Sequence, residues 1–578
     1  MLAGALVFVG GRWLALELVS RRITREAAAR GLTASWQRLG FEFGGRISAS
    51  GLRLTDARGD TVLAADSMAV QLRPWLLLVG RPEVRRFDIA HVQLELGRRE
   101  GVDPDTLPPI ESLRTRPTAG SDRLARAAND AVRVLLIPAR RLPHISMRDV
   151  TVRAVSEDAL VGGAELAWAE LVPDKGGARL SARGALELER RVPFELDLIY
   201  GRDDRVSGGG RIDIPVSDRR YDPLRVSIAG RVHQERGRFE IGENTRITIG
   251  QLPLNVSGSL DRNGPRLRFA LEADSVTEGR VIRSIPRVVL GPLTEVSVQG
   301  RFDYRLSFDL DLSRPDQVEF AADVIPHGLT LDPRSTRLEL LDLDQPFTAT
   351  IHLPRGRTAK RQLSVTNPHY MPLERIDSTL TYAVVTNEDG GFFRHRGFNT
   401  GAVKDAIVEN IRAGRFRRGA GTITMQLARN LYLGHERTVS RKMQEVVMAW
   451  VLEHLTELTK QRLLEIYLNI IEWGPGVHGA DEAAHYYFGR DASNLTTAEA
   501  LFLCTVIPAP TKWRYRFDRQ GNLRPFARAQ MHFIGRAMAA KGWLKLEELA
   551  PTDSLAVELK GPAREVIFPE PPTDARSI

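Results

Sequence analysis

From about residue 40 to residue 345 apolar and polar residues alternate, and this pattern restricts the first half of the chain to β-strands. Val92, Leu94 and Leu96 are separated by Gln93 and Glu95; Phe194, Leu196 and Leu198 by Glu195 and Asp197. Phe302, Tyr304, Leu306, Phe308, Leu310 and Leu312 alternate with Asp303, Arg305, Ser307, Asp309 and Asp311. Turn signals are read at Ala57-Arg58-Gly59-Asp60, Gly208-Gly209-Gly210 and Arg262-Asn263-Gly264-Pro265. Asp103–Asp122, with Pro and Thr, reads as a linker or long loop. Helical pattern is scarce here. The apolar face of so long a sheet needs a cover. A sandwich or barrel supplies one, whereas a curved sheet would leave an open groove for lipid; periodicity does not choose between them.

A chain of 578 residues has room for about three to five domains. Hydrophobic residues at 43% and charged residues at 26% exclude wholesale disorder and a polytopic membrane protein. The single cysteine, Cys504, excludes an intrachain disulfide framework and any multi-cysteine metal site. Lys and Arg number 81 against 72 Asp and Glu, a net charge of +9. Such a balance suits nucleic acid, an anionic membrane or a phosphorylated substrate. The charges are interspersed, however, so the global value reads as a solvated, arginine-rich surface.

Residues 2–19, LAGALVFVGGRWLALELV, carry only Arg12 and Glu17 as charges and are about long enough to cross ~30 Å of hydrocarbon. They read as an N-terminal membrane anchor over 1–22, against the alternative of an ordinary amphipathic helix. Arg21, Arg22 and Arg25 follow, and the positive-inside rule would keep that side cytoplasmic, in conflict with an exported body. A start codon upstream would remove the conflict. No small-residue cleavage site closes the stretch.

After Pro368 the period becomes helical. Val403, Ala406, Ile407 and Ile411 share a face within Thr400–Gly414, which Gly414 can close. Met443, Val446, Val447, Trp450, Val451, His454 and Leu455 trace a second stripe, and Arg462–Ile471 is a third helix. Thr496-Thr497-Ala498-Glu499 reads as a capping box opening a fourth, apolar helix in which Leu501, Phe502, Cys504 and Val506 are core. Four polar clusters lie among these helices. The first is Glu388-Asp389-Gly390-Gly391-Phe392-Phe393-Arg394-His395-Arg396-Gly397, read as a site on a strained turn. The second joins Arg415, Arg417 and Arg418 to Gly419-Ala420-Gly421-Thr422-Ile423-Thr424-Met425-Gln426 and Arg429-Asn430, amide and hydroxyl donors with fixed charge that suit a diphosphate. The third is Arg437 with Arg441-Lys442-Met443-Gln444-Glu445. The fourth runs from Lys460 to Gly476 with Glu465, Tyr467, Leu468, Asn469, Glu472 and Trp473.

In family order, these four clusters resemble the signature of glycosyltransferase family 51, the peptidoglycan polymerases, over about residues 365–535. Ile471-Glu472-Trp473-Gly474-Pro475-Gly476 is similar to the monofunctional, biosynthetic branch. Gly421 stands where the family has serine, and Leu463 where it has isoleucine. Residues 46–98, with the run Trp75–Val79 and Gly80, and residues 252–312 resemble AsmA-like envelope proteins, which implies an elongated β structure with lipid contact.

The family resemblance implies a mainly α, lysozyme-like catalytic fold. It also implies polymerisation of lipid II into β-1,4-linked glycan, with inversion at the anomeric carbon and release of undecaprenyl diphosphate. It assigns the base that takes the proton of the attacking 4-hydroxyl to Glu388, and a second essential glutamate to Glu445. Asp389 would orient the loop. The expected substrate-binding residues are Asp389, Phe392, His395, Thr422, Thr424, Gln426, Arg429, Asn430, Arg437, Arg441, Lys442, Lys460, Tyr467 and Asn469. A divalent cation, Mg or Mn, is the one cofactor it leaves room for; no nucleotide or organic cofactor is expected. Ala402–Arg418 couples an apolar face to a basic end and is read as a segment at the membrane surface rather than a core helix.

Other signals are declined. Gly474-Pro475-Gly476-Val477-His478-Gly479 fits G-x-G-x-x-G but lacks a βαβ setting. A lone His395 reads as a support rather than a metal ligand. Tyr486-Tyr487-Phe488 reads as core, transpeptidase motifs are absent, and the tail from about 550, with Pro569, Pro571 and Pro572, reads as extended and peripheral.

The expectation is thus a multidomain α+β chain. Residues 1–22 form an anchor, 23–345 an AsmA-like β-rich region, 346–545 the glycosyltransferase domain and 546–578 a tail. It would be a single-pass protein of the bacterial inner membrane with its bulk in the periplasm. Its partners would be lipid II, lipid-linked glycan, the membrane and other cell-wall synthesis proteins, with no nucleic acid. The rival reading is a non-catalytic lipid-binding or lipid-transfer protein whose transferase-like domain only holds substrate. Glycan cleavage is a third option, disfavoured because a neutral glycan needs no basic cradle.

Overall fold

A computed structural model describes residues 16–568 except 18–19, 22, 26, 29–30, 43, 57–58, 60, 74–82, 97–142, 157–158, 175–176, 188–190, 202–203, 218–219, 236–237, 262–265, 341, 414–418 and 436–437. The apolar stretch 2–19 falls mostly outside this set, and Trp75–Val79, Asp103–Asp122, the Arg262–Pro265 turn and the proline-containing end fall wholly outside it. No helix of the described residues is long and apolar enough to cross a membrane. The chain divides into two compact units, one of residues 1–286, 302–325 and 408–416, the other of 287–301, 326–407 and 417–578.

Among the described residues the first unit is built on one sheet of sixteen strands, from β1 (Thr33–Ser35) to β16 (Glu319–Leu331), of which residues 298–301 of β15 (Val298–Asp311) and 326–331 of β16 group with the second unit. The strands follow one another in sequence order, except that β2 (Arg38–Glu42) pairs with β3 (Arg46–Thr55) off the main path. β5 (Val84–Leu96) and β6 (His144–Ser156) run parallel, as a long intervening segment permits. The path does not close on itself, so among the described residues the sheet is neither barrel nor sandwich. Phe194, Leu196 and Leu198 on one face of β9 (Arg191–Tyr200) are half-buried rather than buried.

Gly208-Gly209-Gly210 is not a turn. It lies inside β10 (Arg205–Ser217), where neighbouring backbones come too close for side chains. A Cβ on Gly208, Gly209 or Gly210 would lie 2.2, 2.6 or 2.5 Å from a carbonyl oxygen of an adjoining strand.

A row of residues interrupts the alternation in at least four neighbouring strands. Gly51, Asp66 of β4 (Thr61–Leu72), His91 and Asp149 stand opposite one another between paired neighbours. Gly51, His91 and Asp149 have φ of +62°, +52° and +50°. Across the row the inward parity reverses: Ala49 then Leu52, Ala65 then Met68, Ile89 then Val92, Met147 then Val150. Leu52, Ala65, Val92 and Val150 form a small buried cluster against Met68, Ile89 and Met147.

The second unit holds the main core and is helical: α1 (Ser378–Glu388), α2 (Thr400–Ala413, whose last turns group with the first unit), α3 (Ile423–Ala428), α4 (Val439–His454), α5 (Lys460–Ile470), α6 (Ala480–Phe488), α7 (Thr497–Val506) and α8 (Pro525–Ala540). Thr496 caps α7 through the expected box with Glu499, and Cys504 is fully buried in it. Gly474 and Val477 pair across a hairpin turned at Gly476, so the G-x-G-x-x-G match is no nucleotide loop. Tyr487 and Phe488 are core. Two expectations fail. On α4 the buried face carries Gln444, Glu445, Met448, Ala449 and Leu452, whereas Met443 and Val447 of the apolar stripe are exposed and Trp450 and His454 half-buried. Residues 550–563 are not peripheral, because Leu555, Leu559 and Ala563 are buried in the main core.

Candidate active site

Asp377 starts α1 by accepting the N–H groups of Thr379 (2.8 Å) and Leu380 (3.3 Å). Leu380, Ala383 and Val384 are fully buried and seat the helix. Glu388 is its last residue, so the carboxylate emerges where the backbone stops. Oε1 accepts Asn387 Nδ2 at 2.7 Å and Oε2 accepts Gln426 Nε2 at 2.9 Å. Burial pushes the Glu388 carboxyl above the usual range; the two amides and the charge of Arg429 oppose this, and Asp389 adds to it. Within Glu388–Gly397 only Gly397 has positive φ (+78°), so the backbone that carries the two carboxylates, Glu388–Gly391, is not strained.

Gln426 is held the right way round. Its Oε1 accepts the Tyr467 hydroxyl at 3.1 Å, which leaves Nε2 for Glu388. Burial keeps the Tyr467 phenol well above its ordinary range, so it stays a donor. Asn387 Nδ2 is also braced by the Cys504 carbonyl at 3.2 Å. Asp389 is buried. Both its oxygens lie 3.0 Å from His395 Nε2, and Oδ2 accepts the Ile423 N–H at the start of α3 at 3.2 Å. It joins the first cluster to the second.

The chain runs from α3 directly into a π-helical turn, Arg429–Leu433, a widening often found at functional sites. This turn carries Arg429 and the buried Asn430. Arg429 Nε is buried and has no hydrogen-bond partner among the described residues. The guanidinium bears on Glu388 electrostatically.

On α4, Lys442 Nζ donates to Glu445 Oε2 at 3.0 Å; Glu445 is buried and Lys442 half-exposed. Arg441 donates to Gln444 Oε1 at 2.6 Å. α3 and α4 pack together, and the loop before α3 brings Gly421 close to Lys442: a Cβ there would lie 3.6 Å from Nζ. That is ordinary contact, and Gly421 has no positive φ. Gly421→Ser is therefore expected to change stability by no more than about 0.5 kcal/mol, read as an unaltered thermal midpoint.

Several expected binding residues instead support the site from within. Thr422 caps α3 by accepting Met425 N–H (3.2 Å) and donates to the Gly397 carbonyl (2.8 Å). Gly397 (φ +78°) has room for nothing larger, since a Cβ would meet the Ala449 carbonyl at 2.9 Å. Thr424 donates to buried Glu453, which also accepts Lys460 at 2.7 Å; Lys460 in turn sits 4.2 Å over the ring of buried Phe392. Asn469 is committed to the Met371 backbone (3.0 and 2.8 Å) and the Glu465 carbonyl (2.9 Å). As placed, these groups are spent on the fold and not offered to a ligand. Arg437, Arg415, Arg417 and Arg418 lie outside the described residues. The sequence reading missed Asn387, adjacent to Glu388, and Glu453, a lone acid among apolar residues of α4. It also missed Lys541, whose Nζ donates to the Gly390 carbonyl at 3.1 Å with no local signal.

A family profile described as transglycosylase matches residues 355–534. The biosynthetic peptidoglycan transglycosylase of Paraburkholderia xenovorans (strain LB400) is 40% identical over 171 residues, 30% of this chain and 68% of its own length. This chain belongs to the transglycosylase family. The Thiobacillus denitrificans (strain ATCC 25259 / T1) protein of the same description is 38% identical over 174 residues, 30% of this chain and 74% of its length. That of Ralstonia nicotianae (strain ATCC BAA-1114 / GMI1000) is 46% identical over 141 residues, 24% and 59%. The transglycosylase match spans Glu388, Gln426, Arg429, Lys442 and Glu445, and lies outside the sixteen-stranded sheet.

Proposed function

We propose that this transglycosylase is a peptidoglycan glycosyltransferase that polymerises lipid II. The observation that carries the reading is Glu388: a desolvated carboxylate held by two amides, beside a guanidinium with a buried, unbonded Nε. Glu388 takes the proton of the 4-hydroxyl as that oxygen attacks the anomeric carbon. The new C–O bond forms as the bond to the diphosphate breaks, and the electron pair leaves on the diphosphate. Direct displacement inverts the centre, so an α-linked donor gives a β-1,4 glycan and undecaprenyl diphosphate. Arg429, with Lys442 and Arg437, meets the charge that gathers on the leaving group.

Glu445 is one carboxylate already bonded to Lys442. Mg²⁺ is commonly held by one or two carboxylates together with substrate phosphates. A divalent ion would fit here through Glu445 and the diphosphate, and would supply charge neutralisation.

The exposed Met443 and Val447 on α4 suit a face that meets the lipid carrying the substrate. We place the chain at the bacterial inner membrane, with the sheet as an AsmA-like envelope region. Its open order and half-buried apolar residues support that reading.

The test is polymerisation of purified lipid II by the full chain as a function of pH. The base must be ionised, so the rate falls as pH drops through the raised Glu388 pKa, and the acid limb lies above the ordinary ~4.3. Gln426→Leu removes a donor that favours the carboxylate and moves that limb to higher pH. A limb unmoved in the variant, or no polymer at any pH, overturns the assignment.

A further inference from the structure

Away from Glu388, two histidines converge on one carboxylate oxygen. Asp481 sits in the first turn of α6, where the helix end favours its negative charge. Its Oδ1 is taken by the Ala492 N–H at 3.0 Å, which leaves Oδ2 for the two histidines. His369 Nδ1 lies 2.9 Å from Oδ2, and His485 Nε2, one turn along α6, lies 3.7 Å from it. A second carboxylate oxygen, Asp491 Oδ1, is 3.0 Å from the same His485 nitrogen. The donor atoms of His369, Asp481 and His485 all lie within 4.8 Å of one another. The His369 backbone is anchored by Asn367, whose Oδ1 accepts its N–H at 3.1 Å.

The geometry points to a binding site for a transition-metal ion of the zinc type. Two imidazole nitrogens and one oxygen of a carboxylate are the donor set such ions take, with Asp491 or water in the fourth position. Bonds of ~2.0–2.2 Å in a tetrahedron set donors about 3.3 Å apart, a spacing the 2.9 and 3.7 Å separations bracket. The His369 and His485 side chains are 40% and 42% exposed, so an ion can enter without unfolding the domain. The ion would clamp the segment before α1 to α6. It is distinct from the cation considered beside Glu445: Mg²⁺ prefers an all-oxygen shell, and this site offers nitrogen.

The test uses the full chain stripped with a chelator, then titrated with Zn²⁺ alone by calorimetry and followed by thermal melting. The parent protein is expected to bind about one equivalent that the double variant His369→Asn/His485→Asn does not bind, and its midpoint should rise with Zn²⁺ while the variant's does not. Each single variant loses a ligand outright and should bind at least ~10-fold more weakly. Co²⁺ should give visible absorption of a four-coordinate nitrogen and oxygen site in the parent only. Equal Zn²⁺ stoichiometry in parent and double variant, or no Zn²⁺-dependent shift in the parent, overturns the proposal and leaves a His369–Asp481 hydrogen bond with His485 beside it. Lipid II polymerisation by the same samples separates this failure from failure at Glu388.

Discussion

Glu388→Gln should lose about 10²–10⁴-fold in glycan polymerisation and yet melt at a higher temperature than the parent. The two outcomes share a cause. Gln is the same size and keeps an oxygen for Asn387 or Gln426, but it cannot take a proton. Burial raises the Glu388 pKa above its unfolded value. The folded protein therefore binds more protons than the unfolded chain between those two values, and stability falls as pH rises through that window. Above that window the ionised group carries a desolvation cost that the amide avoids. Melting curves at acid and neutral pH, run beside a lipid II assay, check both halves. An inactive variant that is also less stable at neutral pH would mean a damaged fold, and an active one would remove Glu388 as base.

Glu453→Ala is expected to cost about 3–5 kcal/mol, the usual result of removing one member of a buried ion pair. Lys460 would be left against Phe392 with its charge uncompensated, and the Thr424 hydroxyl would lose its acceptor. Burial already pulls the Lys460 pKa down despite the carboxylate, which shows how poorly the site tolerates a bare ammonium. Glu453→Leu combined with Lys460→Met removes both charges and should recover most of the loss, leaving the cost of the orphaned threonine, ~1–3 kcal/mol. Denaturant unfolding of the three proteins measures this. If the single variant is no less stable than the double, the pair is not what holds α4 to α5.

Much of this was legible in the chain itself. Period-two alternation gave the strands and period-3.6 stripes gave most helices, because both are one-dimensional records of which side is wet. The Thr496–Glu499 box was readable because a cap is a local contact. The roles of Thr422, Thr424 and Asn469 were not: a motif records that a residue type is required, not whether it faces ligand or scaffold. Glu453 and Lys541 act on partners far along the chain, and no local pattern encodes such a meeting. The triple glycine misled because close backbone approach and tight turning demand the same residue. The break in alternation was present in the letters as a spacing of three, at Ala49 to Leu52, Ala65 to Met68, Ile89 to Val92 and Met147 to Val150.

That aligned row bears on how a long open sheet finds its pairing. In a uniform ladder, a strand displaced by two residues keeps its apolar side inward and loses little. Here any such slip carries one strand's kink out of line with its neighbours' and turns the residues between the two kinks to the wrong face. A misplaced strand can escape this only if its neighbours slide with it, so the crease works as a shared alignment mark against mispairing.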